Sequence, residues 1–89
     1  MPEVEIPRRY QGPTQGRARI HVEARTVREC IEAVEAECPG FLELVLDARG
    51  GLRRFVRLFI NGDVLAADAL DTAVGDGDRI QVLAAAAGG

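Results

Sequence analysis

The sequence contains no lysine, no serine and a single histidine, so the serine nucleophile and the lysine Schiff base are both missing from its inventory. All eleven of its basic residues are arginine. Cysteine is scarce as well: Cys30 and Cys38 fall in one stretch of helical periodicity, where eight residues of helix set them about 12 Å apart, beyond disulfide reach. They read as reduced, largely buried, small apolar residues. One histidine and no second cysteine pair leave no zinc ligand set, so no bound metal or cofactor is expected. There is no run of about eighteen apolar residues and no basic-then-apolar N-terminal segment, which predicts a cytoplasmic protein with no membrane partner.

Positive charge is also in deficit. Eleven basic residues face fourteen acidic ones, for a formal charge of −3, the wrong sign for a protein whose task is to neutralise nucleic-acid phosphates. What is present is 89 residues, 47% hydrophobic and 28% charged, a balance that predicts one small globular domain. Such a domain buries roughly 60% of its unfolded surface, enough for one core and too little for a deep catalytic cleft. Catalysis by this chain alone is disfavoured.

Val4 and Ile6 alternate with Glu3 and Glu5, and Ala18, Ile20, Val22 and Ala24 alternate with Arg19, His21 and Glu23. Both stretches read as half-buried strands joined through the turn-rich Gln11-Gly12-Pro13-Thr14-Gln15-Gly16, an N-terminal hairpin with His21 on its polar side. Thr26-Val27-Arg28-Glu29 has the form of a capping box, and Val27, Cys30, Ile31, Val34 and Cys38 then recur at helical spacing until Pro39-Gly40 ends the helix. Phe41 to Leu46 reads as a helical turn over one end of the core, followed by a surface loop over Asp47 to Gly51. Phe55 to Ile60 reads as a strand, Asn61-Gly62 as a hairpin turn into a short strand near Asp63 to Ala66, Leu70 to Val74 as a connecting turn, and Gly75 to Asp78 as a corner feeding a last strand, Arg79 to Leu83.

This order predicts an α+β fold, a β-grasp with a mixed sheet of four to five strands packed on one main helix, occupying residues 1–83. Residues 84–89, Ala84-Ala85-Ala86-Ala87-Gly88-Gly89, follow as a flexible C-terminal tail. A Gly-Gly end has no side chain to obstruct a narrow passage. Its α-carboxylate, at Gly89, is the group here that is both sterically open and chemically convertible, and attack on the α-phosphate of ATP would turn it into an acyl donor. The ATP machinery must belong to a partner, because Gly50-Gly51 lacks the Lys and Ser or Thr of a phosphate loop.

The segments Val4-Glu5-Ile6-Pro7, Thr26 to Ile31, Pro39-Gly40, Leu52 to Val56, Phe59-Ile60-Asn61-Gly62, Gly75 to Ile80 and Ala87-Gly88-Gly89, taken in this order, resemble the MoaD/ThiS family of ubiquitin-like sulfur carriers. The resemblance implies that Gly89 is adenylated by a ubiquitin-activating-type adenylyltransferase using ATP and magnesium, with Gly88 and Ala87 threading into it, and is then converted to a thiocarboxylate. It also implies a sulfur-accepting biosynthetic enzyme as second partner. The Ile6-Pro7 start and Arg54-Phe55-Val56 are closer to CysO-like carriers, which serve cysteine biosynthesis through a cysteine synthase-like acceptor, than to the small subunit that partners the molybdopterin synthase large subunit. In this tail Ala84 and Ala86 stand where the family commonly has Pro and a bulky apolar residue, so the resemblance does not fix the partners.

Two other readings share these residues. A ubiquitin-like modifier would use the same adenylate, although without lysine the chain has no site to extend a polymer. A plain β-grasp binding module would use no terminal chemistry. For a carrier or a modifier, period-two geometry turns Val56, Leu58 and Ile60 inward, since the opposite choice would bury Arg57 at a large desolvation cost. The same rule turns Arg79 and Leu83 of the last strand outward, and the β-grasp resemblance implies that the two strands are neighbours, so that Arg57, Phe59, Arg79 and Leu83 are expected to form a partner-binding patch beside the root of the tail, with Phe59 as anchor. Arg49, Arg53, Arg54 and Arg57 suit an acidic protein surface better than a nucleic acid.

Overall fold

Strand alternation and helical periodicity converge on one apolar layer. Val4, Ile20, Val56, Leu58, Ile80 and Val82 point from the sheet into the core, and Val27, Cys30, Ile31 and Val34 meet them from the helix, all essentially inaccessible to solvent. The computed structural model describes residues 1–84, so Ala87, Gly88 and Gly89 lie outside the described residues. Its strands are β1 (Glu3–Glu5), β2 (Arg19–His21), β3 (Val56–Ile60), β4 (Asp63–Leu65) and β5 (Arg79–Ala84), with helices α1 (Val27–Glu37) and α2 (Leu42–Val45) between β2 and β3. The five strands form one sheet in the order β2-β1-β5-β3-β4. β1 and β5 run parallel at its centre and the other pairs are antiparallel, which makes the sheet mixed. With one main helix against one face, this is the β-grasp.

The helix starts where the sequence places it, with one difference. Thr26 Oγ1 accepts from the Glu29 backbone N–H at 3.1 Å, but the Glu29 carboxylate reaches past the cap and accepts from the Arg25 N–H at 3.0 Å. The second arm of the box therefore ties down the approach to the helix rather than the cap itself. At the other end Gly40, at φ 107, lets the chain double back into α2, which seats Phe41 and Val45 at 0% exposure. Phe41 is among the largest fully buried side chains, and it gives the short helix its place in the core.

Strand boundaries differ from the alternation pattern in several places, and three of them show why. β2 stops at His21, although Val22 remains buried and its N–H bonds to the Pro2 carbonyl at 3.0 Å. β3 begins at Val56, because the Val56 N–H turns back to the Arg53 carbonyl at 3.0 Å, which puts Phe55 in a turn and leaves it 47% exposed. β5 runs one residue beyond the expected boundary at 83, since Ala84 still pairs with Val56.

Candidate functional site: the outer sheet face at the root of the tail

Directly opposed residues of neighbouring strands point to the same face of a sheet. The register therefore lays out the side away from the helix as a set of cross-strand rows. One row runs through all five strands as Arg19, Glu5, Gln81, Phe59 and Val64; a second holds His21, Glu3 and Arg79; a third holds Leu83 and Arg57. On the opposite face Leu58 and Val82 are buried, so the inward and outward sets of β3 and β5 are those that the desolvation argument for Arg57 selects.

The four expected patch residues share this face but differ in state. Phe59 is half-buried, flanked by Gln81 on β5 and Val64 on β4. Leu83 is 46% exposed and opposes Arg57. The Arg57 guanidinium donates to the carbonyls of Arg54 and Val56 at 3.0 and 3.1 Å, which fixes its position over the start of β3. Arg79 is less available, because its Nε lies 3.1 Å from Glu5 Oε2, and Gln81 Nε2 lies 3.5 Å from the other oxygen of that carboxylate. It is partly neutralised by β1.

Val64 is the residue that sequence reasoning missed. It is 65% exposed and stands directly opposite Phe59. The Asn61-Gly62 turn fixes that register, so pairing the two strands residue by residue from the turn would have found it. His21 lies on the same face two strands from β5, exposed, with Nε2 3.4 Å from Glu3 Oε1.

Neither thiol belongs to this surface. Cys30 and Cys38 are free and buried, and desolvation first, then the charges of Glu29 and Asp78, push the Cys30 thiol up to about 11. A thiol held in that state is a poor nucleophile at neutral pH. Among the described residues no group of three or more His, Cys, Asp or Glu side chains is placed to hold a metal ion, and no helix is long and apolar enough to cross a membrane.

The ThiS family model matches residues 6–89. The sulfur carrier protein CysO of Mycobacterium tuberculosis is 35% identical over 89 residues, covering 97% of this chain and 96% of its own. A crystal structure of M. tuberculosis CysO superposes with a TM-score of 0.89 at 29% identity, covering 97% of this chain and 100% of its own. A chain of the Amycolatopsis orientalis BexX/CysO complex superposes with a TM-score of 0.88 at 30% identity, covering 100% of both chains.

Proposed function

The chain belongs to the ThiS family, and from that membership we propose that it is a sulfur carrier of the CysO type, acting as a protein cosubstrate rather than an enzyme, whose reactive atoms are those of the Gly89 carboxylate. The observation that carries this reading is that the family match extends through Gly88-Gly89. A carboxylate oxygen of Gly89 attacks the α-phosphorus of ATP and pyrophosphate leaves, giving an acyl-adenylate. Sulfur at the oxidation level of sulfide then adds to the acyl carbon, AMP departs, and a thiocarboxylate remains. No electrons are exchanged in either step. The activating partner supplies the ATP site and magnesium, in keeping with a carrier whose cysteines are buried and whose histidine faces away from the core. Ala87 and Gly88 present almost no side chain to a passage leading to the reacting carbon.

Phe59, Val64, Leu83 and Arg57 are the surface that the activating adenylyltransferase would grip, an aromatic anchor with apolar flanks and a neighbouring charge. The likeness to CysO favours cysteine biosynthesis, with a cysteine synthase-like enzyme as acceptor. The test is intact-mass analysis after incubation with the activating enzyme, ATP, magnesium and a sulfide source. The expected product has one oxygen replaced by sulfur, and a chain lacking Gly89 should stay unchanged while remaining folded. Sulfuration of the truncated chain would overturn the reading.

A further inference from the structure

Four arginines, Arg49, Arg53, Arg54 and Arg57, occur within nine residues of a chain whose net charge is −3. The fold places two of them, Arg54 and Arg57, where the polypeptide leaves the sheet. Ala84 pairs with Val56, and the turn that closes on Val56 carries Arg54 and the exposed Phe55 at its tip. Arg57 follows one position later, opposite Leu83. Arg53 donates from Nε to the Glu43 carbonyl at 2.6 Å, and Arg49 and Arg53 both act on the Asp47 carboxylate. Arg54 and Arg57 are exposed and have no carboxylate partner among the described residues. The acidic residues Glu29, Glu32, Glu35 and Glu37 sit on α1, in the other layer of the molecule.

We infer that Arg54 and Arg57 form a cationic collar that docks against an acidic rim around the passage by which the activating enzyme takes in residues 85–89. This rests on the reading of Gly89 as the reacting terminus. Only five residues follow Ala84, and fully extended they span at most about 17 Å. An enzyme that reaches Gly89 must therefore bring its surface close to Ala84, and with it to Arg54 and Arg57. Neither guanidinium has a carboxylate partner among the described residues, and the two carbonyls that Arg57 reaches do not neutralise its charge, so an apolar or basic cover would strip water from two uncompensated charges and a cover that supplies carboxylates is favoured. The separation of charge between the collar and α1 also orients the encounter, turning the tail toward an acidic opening and the helix away from it. Nucleic-acid phosphates would pair with the same groups, but two free arginines on a net acidic chain offer little counterion release.

The experiment is pyrophosphate exchange by the activating enzyme of the same organism, with MgATP and the full chain as varied substrate. The Arg54→Glu/Arg57→Glu protein should lose about tenfold or more in kcat/KM at roughly 50 mM salt, a gap that narrows at roughly 500 mM, while kcat at saturation stays within about twofold of wild type. Arg54→Gln/Arg57→Gln should fall between the two and guards against a folding defect, which chemical denaturation reports separately. Equal kcat/KM for the charge-reversed and wild-type proteins at low salt would overturn the collar while leaving the terminal chemistry standing. A loss confined to kcat would overturn it too. Binding of a labelled single-stranded RNA that weakens with salt and is abolished by the reversals would replace the acidic rim with a phosphate backbone. Absence of exchange by the wild-type chain would overturn the reading of Gly89 and the collar together.

Discussion

Asn61 and Asp78 lock the β3–β4 turn to the corner that launches β5. Asn61 Nδ2 donates to Asp78 Oδ1 at 2.9 Å, and Asn61 Oδ1 accepts from the Arg79 N–H at 2.9 Å. Asp78 Oδ2 accepts in turn from the Gly75 N–H at 2.8 Å. Asn61 and Gly62 hold φ at 51° and 90°, the left-handed pair that a tight two-residue hairpin requires and that an Asn-Gly sequence supplies at low cost. Together these contacts set the start of the strand that ends at the tail.

These bonds hold the Asp78 carboxyl below the usual carboxylate range, the Asn61 amide contributing most and the Gly75 N–H next. Asp47 is lowered in the same direction, chiefly by the N–H groups of Gly51 and Arg49. The unfolded chain therefore binds more protons than the native one across the acidic range. The stabilisation is complete above the ordinary carboxylate value and is lost as pH falls through the lower native values. The urea midpoint should drop as pH falls through and below the ordinary carboxylate range, and Asp78→Asn should show a smaller drop together with a lower midpoint at neutral pH. An unchanged acid dependence in Asp78→Asn would remove the lock from the stability of the fold.

The sequence carries the element order because its local signals are strong where backbone geometry is demanding. Asn61-Gly62, the Thr26 cap and the alternation around Leu58 and Val82 each force one reading. The candidate surface is legible to the same extent, since Arg57 cannot be buried unpaired and this fixes the outward set of β3. Illegible are the relations that depend on which strands become neighbours. The Glu5 carboxylate engages Arg79 only because β1 lies parallel to β5, a pairing between segments more than seventy residues apart in sequence. Val64 joins Phe59 through register, and Asn61 meets Asp78 through a corner that local turn chemistry does not aim.

Glu35 makes a local tie within the helical layer. Its carboxylate accepts from the Gly40 N–H at 3.1 Å and the Leu42 N–H at 2.8 Å, serving the chain where it enters α2. Glu35→Ala leaves both part-buried donors without that acceptor and should cost about 1–3 kcal/mol in chemical denaturation. Glu35→Gln keeps a carbonyl oxygen in place and should cost less. Equal losses for the two would assign the effect to packing rather than to the acceptor.

Because Cys30 is buried and its thiol pushed up to about 11, it should resist alkylation in the native protein and react only on unfolding. Cys30→Ala opens a small cavity against the sheet and should lower stability by about 1 kcal/mol. Sulfur loading at Gly89 should be unaffected, alone or combined with Cys38→Ala. A folded double variant that fails to load would overturn the assignment of loading to the terminal carboxylate alone.

Phe59 is the residue on which recognition should turn. It is half-buried between Gln81 and Val64, so its ring is held by the sheet while one side stays available, and little side-chain entropy remains to be lost on docking. Anchors of this kind cost about 2 kcal/mol or more when truncated, and Phe59→Ala should therefore lower kcat/KM for activation by about 30-fold. Val64→Ala removes a flanking contact at the sheet edge and should cost less, with the double variant falling short of the sum because the two side chains share one surface. His21→Gln supplies the control: the residue is exposed on the same face but separated from β3 by β1 and β5, and activation should stay at the wild-type rate. Subsaturating kinetics on proteins shown to be folded decide the matter, and a Phe59→Ala chain activated as fast as wild type would take the outer face of β3 out of recognition.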